Sequence, residues 1–103
     1  REDPDSDVDV PNAGVRLAVH PNPFNPQTTV SFSLPRATWA EVGVYDLSGR
    51  LVDVLAFEDF TAGSHTLSWD GRNTHGLAMP SGSYIVRIET DERVQSRKAM
   101  LVR

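Results

Sequence analysis

The chain has 103 residues, 39% of them hydrophobic, no cysteine and a net charge of −4. That length fits one domain with one modest core and argues against an enzyme built around a deep enclosed pocket. The lack of cysteine excludes a disulfide framework, a thiolate zinc centre and a cysteine nucleophile, without assigning a compartment.

The acidity sits at the start. Residues 1–14, REDPDSDVDVPNAG, carry a net charge of −4, so the rest of the chain is neutral. A segment that is acidic, without aromatics and rich in small and turn-forming residues cannot bury enough apolar surface to offset its ordering entropy. It reads as a flexible linker over 1–14 ahead of a folded domain over 15–103. A linker implies something upstream, and a chain opening on Arg1 reads as a piece of a longer protein. Asp3, Asp5, Asp7 and Asp9 alternate as the oxygen ligands of a calcium loop do. The sixth and twelfth positions of such a loop need a glycine and a bidentate acid, but here they are Val8 and Gly14. No metal or cofactor is expected. No run approaches the roughly 18 apolar residues of a membrane span.

From Val15 onward the apolar period is two. Val15, Leu17 and Val19 alternate, as do Val30, Phe32 and Leu34, and then Ala40, Val42 and Val44. Such alternation predicts strands buried on one face. RLVDVLAF at 50–57, SHTLSWD, SYIVRIET and VQSRKAMLVR bring the expected number of strands to about seven, and no dozen residues carry helical spacing. DLSGR at 46–50, with Gly49, reads as a tight hairpin turn, TAGSH supplies another glycine, and TDERV is the tip before the last strand. The longest connection is DGRNTHGLAMPSGS at 70–83. Short strands at this spacing predict an all-β, immunoglobulin-like antiparallel sandwich. Its expected core is Val30, Phe32, Leu34, Val42, Val44, Leu67, Trp69, Tyr84, Val86 and Ile88.

Between the first two strands lies HPNPFNP. Proline fixes φ and pushes its predecessor toward extended geometry, so Pro21, Pro23 and Pro26 predict a stiff, extended segment with three amide donors missing. It would hold Phe24 over one end of the sandwich as an apolar lid, and Asn22 and Asn25 would bond nearby backbone. In WDG, Asp70 is placed to accept amide bonds from the following loop, and Gly71 lets the chain turn.

The blocks HPNPFNPQTTVSFSLP, VGVYDLSGRLVDVL, TAGSHTLSWDGRNTHG, SGSYIVRIE and KAMLVR resemble, in order and spacing, the family that unites the immunoglobulin-like domain of the flagellar hook-capping protein with the C-terminal sorting domains of type IX secretion. The resemblance covers about Val19 to Arg103. It rests on Pro21, Asn22, Pro23, Phe24, Asn25, Pro26, Tyr45, Asp46, Gly49, Arg50, Trp69, Asp70, Gly71, Gly82 and Tyr84, to which the sequence assigns structural roles. The resemblance implies a non-catalytic module of a secreted multidomain protein, often a hydrolase of polysaccharide or protein, that serves as export address and cell-surface attachment. The implied partners are secretion machinery or a surface receptor and an upstream catalytic domain, and the implied location is secreted or outer cell surface. Arg97, Lys98, Met100, Leu101, Val102 and Arg103 are the docking candidates, on an edge strand suited to strand addition.

Other functions find less in the sequence. His20, His65 and His75 lack metal-ligand spacing, and His65 shares a face with Leu67 and Trp69, as a core-edge side chain would. Ser81 has no G-x-S-x-G elbow, and a sandwich this small leaves little room for a carboxylate pair flanking a cleft. The bases near the end are diluted by Glu89, Asp91 and Glu92, so nucleic acid is not an expected partner. A structural module of the hook-capping type is the alternative. A carbohydrate-binding module is another, and it would use Trp39 and Tyr45, with Phe57 or Phe60, as a stacking row.

Overall fold

The computed structural model describes residues 14–103. Apart from Gly14, the expected linker at 1–14 and its alternating aspartates lie outside the described residues. The strands are β1 (Arg16–His20), β2 (Thr28–Leu34), β3 (Thr38–Asp46), β4 (Leu51–Phe60), β5 (Gly63–Trp69), β6 (Gly82–Thr90) and β7 (Val94–Leu101). They form two antiparallel sheets, ordered β1-β2-β5 and β4-β3-β6-β7. This is an immunoglobulin-like β-sandwich. Among the described residues no helix is long and apolar enough to cross a membrane.

Alternation builds the core. Val30, Phe32 and Leu34 from β2 face Val42, Val44, Val86 and Ile88 from the other sheet, all of them buried. Leu67, expected in this set, is only half-buried, because β5 is the edge of its sheet and lacks a neighbour on one side. Ala40, Ala56 and Ala99 are buried too, as are Val15, Leu17, Val52 and Leu101.

Two register shifts interrupt the β3–β4 ladder, between Val42 and Gly43 and between Val44 and Tyr45. Extra residues on β4 reset which side chains face inward. Val52 and Ala56 are therefore buried, while Val54 between them is turned outward and Phe57 is 65% exposed.

The two sheets also meet along the side where β1 faces β7. Buried Gln95 donates its side-chain amide to the Val15 carbonyl at 2.7 Å, joining strands 80 residues apart in sequence. Such a bond gives a buried amide the partner it needs and fixes how the sheets are offset.

Candidate functional site

HPNPFNP is a set of bends around one bridging residue, not the extended rod expected from its prolines. The reason lies in topology. β1 and β2 are antiparallel neighbours, with His20 opposite Thr29, so the residues between them must reverse direction. The His20–Pro21, Asn22–Pro23 and Asn25–Pro26 peptide bonds are cis.

Within those bends Phe24 crosses to the other sheet. Its amide donates to the Met100 carbonyl at 2.9 Å, and its carbonyl accepts from the Val102 amide at 2.9 Å, as a single parallel bridge. Asn22 extends the pairing with its side chain, donating to the Lys98 carbonyl at 2.8 Å and accepting from the Met100 amide at 2.9 Å. The carboxamide thus does what a peptide group would do beside two prolines that have no N–H to give. The sequence predicted bonds from Asn22 to nearby backbone; its partners are instead on the last strand. Asn25 is exposed. Thr28, almost fully buried, holds the bends from the other side by donating its hydroxyl to the Pro21 carbonyl at 2.7 Å.

The Phe24 ring does cap the sandwich. It is 2% exposed and lies against Trp69, with ring centroids 5.4 Å apart. Trp69 in turn meets Tyr84 edge-on at 5.2 Å. Both polar tips of this aromatic trio are satisfied, since the Trp69 indole donates to the Arg72 carbonyl at 2.9 Å and the Tyr84 hydroxyl to the Pro80 carbonyl at 2.6 Å. Burial pushes the Tyr84 phenol above its ordinary pKa.

Asp70 accepts the Arg72 amide at 3.1 Å, which starts the long loop. Gly71 follows at φ +77°, where a β-carbon would come within 2.9 Å of the Arg103 guanidinium and 3.0 Å of the Pro26 carbonyl oxygen. Arg103 occupies that space because its guanidinium donates to the Gly71 and Met79 carbonyls, while its amide donates to the Ser81 hydroxyl. Gly82 opens β6 opposite Leu101. At the other hairpin, the Asp46 carboxylate accepts the Ser48 amide (2.9 Å), the Ser48 hydroxyl (2.6 Å) and the Arg50 amide (3.0 Å). The Ser48 hydroxyl, then the Arg50 amide, hold its carboxyl below the ordinary range. Gly49 completes the turn at φ +91°.

Of the docking candidates, Arg97, Lys98 and Val102 are exposed, Met100 is half-buried and Leu101 is buried. The outward edge of β7 between Lys98 and Val102 is already bonded to Asn22 and Phe24. A partner strand added here would have to displace both.

The aromatic residues on the outer face of the larger sheet do not form a flat row. Trp39 and Phe57 touch at 5.3 Å with their planes 79° apart. A β-carbon at Gly43 would come within 3.2 Å of the Tyr45 ring, and the Arg87 guanidinium lies 5.8 Å from that ring's centre. Phe60 turns away toward Phe32, 5.2 Å off, and His65, 4.9 Å off. His65 is half-buried, stacks on Phe32 and bonds the Thr61 carbonyl at 2.8 Å, a core-edge role. Sequence reasoning missed Gln95 and Thr28, whose polar partners are distant in the chain or hidden in a loop carbonyl.

Comparison with known proteins adds to this geometry. The family model described as the FlgD Ig-like domain matches residues 22–93. The basal-body rod modification protein FlgD of Salmonella typhimurium is 42% identical over 45 residues, which are 44% of this chain and 19% of that protein. The chain therefore matches only about a fifth of that curated relative's length. Among solved structures, dimeric latent PorU of Porphyromonas gingivalis superposes with a TM-score of 0.70 at 19% identity, covering 85% of this chain and 9% of PorU. PorZ of the same organism, described as an essential bacterial surface component of the type-IX secretion system, superposes with a TM-score of 0.60 at 21% identity, covering 84% of this chain and 11% of PorZ. At those identities the likeness to PorU and PorZ is one of fold.

Proposed function

Because the chain belongs to the FlgD Ig-like domain family, we propose that it is a non-catalytic docking module of an exported multidomain protein, acting as a type IX secretion sorting signal and cell-surface attachment domain. The observation that carries this reading is the recurrence of the whole sandwich as a small part of two much larger chains, one of them described as a surface component of type IX secretion. The acidic segment at 1–14 then joins the module to its parent, a secreted enzyme such as a hydrolase. The partner is the secretion machinery or a surface receptor, met by exposed side chains such as Arg97 and Lys98.

The interior is consistent with a rigid module. Its polar side chains hold backbone: buried Gln95 ties β1 to β7, while on the surface Asn22 ties the proline segment to β7 and Arg103 ties the long loop to the last strand. Side chains committed to holding backbone in this way are not free to act on a substrate.

A second reading is favoured by the sequence identity to Salmonella FlgD: a structural module in a basal-body rod modification protein. One experiment separates the two. A signal-peptide-bearing reporter is fused ahead of the 103-residue chain and expressed in Porphyromonas gingivalis. The sorting reading expects protease-accessible reporter at the cell surface, lost when the chain is deleted. Reporter retained in the periplasm with the chain intact would refute that reading and leave the structural one.

A further inference from the structure

The edges of this sandwich are not alike. β7 is covered between Lys98 and Val102 by Asn22 and Phe24, and β1 is tied to β7 through Gln95. β5 is an edge, but a short one with exposed Ser64, Thr66 and Ser68. β4 is also an edge, and at ten residues it is the longest strand. Among the described residues, the one loop bond to its backbone is the Thr74 amide on the Val52 carbonyl, near its start.

An open edge offers a row of unpaired N–H and C=O groups to another strand, and proteins usually blunt such edges. β4 has two bulges and three acids of that kind, yet it also turns apolar residues to the solvent. Leu51 is 44% exposed, Val54 38% and Phe57 65%, and Leu47 in the preceding hairpin is 68% exposed. These four make up most of the large exposed hydrophobics among the described residues. The register shifts turn Val54 outward beside Gly43, and Phe57 leans on Trp39. Exposed apolar side chains concentrated on one strand mark an interaction surface rather than scattered surface residues.

Charge identifies the occupant. β4 carries Asp53, Glu58 and Asp59 and no base. Asp70 lies close enough to Asp53 to raise its pKa further, after burial has done most of that work. A second copy of β4 would bring three more acids and no base to an edge that is already acidic, and like charges meeting across a ladder are unfavourable. An extended segment with basic and apolar residues in alternation would complete the ladder, continue the Val54–Phe57 surface on one face and set its bases beside Asp53 and Glu58 on the other.

We propose that β4 is a strand-addition site for an extended segment of a partner protein in which basic and apolar residues alternate. The proposal rests on the docking role above and names the surface that performs it.

The test uses the 103-residue chain and a blocked ten-residue peptide alternating Lys and Val, matched in length to β4. Amide shifts in NMR titration should map to β4 and its neighbour β3. A Glu–Val peptide should bind about tenfold more weakly or worse, and so should the Lys–Val peptide N-methylated at alternate residues, which cannot complete the ladder. The double variant V54K/F57K, altered at exposed positions and losing only the Phe57–Trp39 ring contact, should stay folded and lose binding by a similar factor. In solution, the proposal is overturned by equal binding of the acidic or N-methylated peptide, by shifts centred on another strand, by no binding at about millimolar peptide, or by a dimer formed through β4. The export fusion carrying V54K/F57K separates the two claims. Surface display by both fusions would refute the β4 site and keep the sorting role, whereas display by neither would refute the sorting role and leave the peptide titration to judge β4.

Discussion

Asn22 and Met100 are joined at 2.9 Å by a bond in which the side-chain carbonyl of one accepts the backbone amide of the other, across 78 positions of sequence. The same carboxamide donates to the Lys98 carbonyl, so a single side chain occupies two backbone groups of an edge strand. Replacing Asn22 with Ala leaves both to water and should cost about 1 kcal/mol, the usual net value of such bonds at partly exposed sites. N22D keeps the acceptor but faces the Lys98 carbonyl with a charge, and should be no milder. Denaturant midpoints at fixed m-value check both.

Phe24 is the larger contributor at the same place. Its ring is buried against Trp69, so F24A should cost about 3 kcal/mol, as large-to-small core substitutions do, while F24L should recover most of the loss. A loss below about 0.5 kcal/mol would mean that the ring does not seal the end of the sandwich.

Gly71 and Gly49 both have positive φ but differ in surroundings. An alanine at Gly49 would meet nothing within 4 Å, whereas one at Gly71 would press on the Arg103 guanidinium and the Pro26 carbonyl. G49A should cost about 1 kcal/mol from backbone strain alone, and G71A more, about 2–3 kcal/mol. In a double-mutant cycle, R103A should relieve part of the G71A penalty but not all, because Pro26 remains in the way.

How much of this was legible follows the range of the signal. Alternation set by neighbours in sequence, as in Val30, Phe32 and Leu34, gives strands, faces and fold class directly. The same rule applied to β4 groups Val52, Val54 and Ala56 on one buried face, yet Val54 is exposed because register shifts depend on the partner strand β3. Proline spacing sets 21–26 apart, but an amide count cannot say that the missing donors are replaced by Asn22 reaching the last strand. Gln95 looks like any polar residue of an exposed strand face; only the approach of β1 to β7 buries it. The basic residues at the C-terminal end are visible in sequence, whereas the closure of their strand edge by a segment near the other end of the chain is not.

The Asp46 turn gives a pH dependence with a definite sign. Its carboxyl is held below the ordinary range by bonds to its charged form, so the folded state binds this proton less readily than the unfolded chain. The stabilisation is fully present above about pH 4 and is lost as pH falls through the lowered folded value. D46N should lower stability at neutral pH and flatten the acid arm of the stability curve; an unchanged acid arm would show that the carboxylate is not what holds the hairpin.

The central structural claim is that one side of the sandwich is sealed by Asn22 and Phe24 while β4 on the other stays open. Amide hydrogen exchange read residue by residue tests it most directly. The Met100 and Val102 amides, on the outward edge of β7, should be protected to nearly the level of the central strands β3 and β6, while the outward amides of β4 beyond Val54 exchange quickly. Rapid exchange at Met100 and Val102 together with slow exchange along β4 would contradict the account.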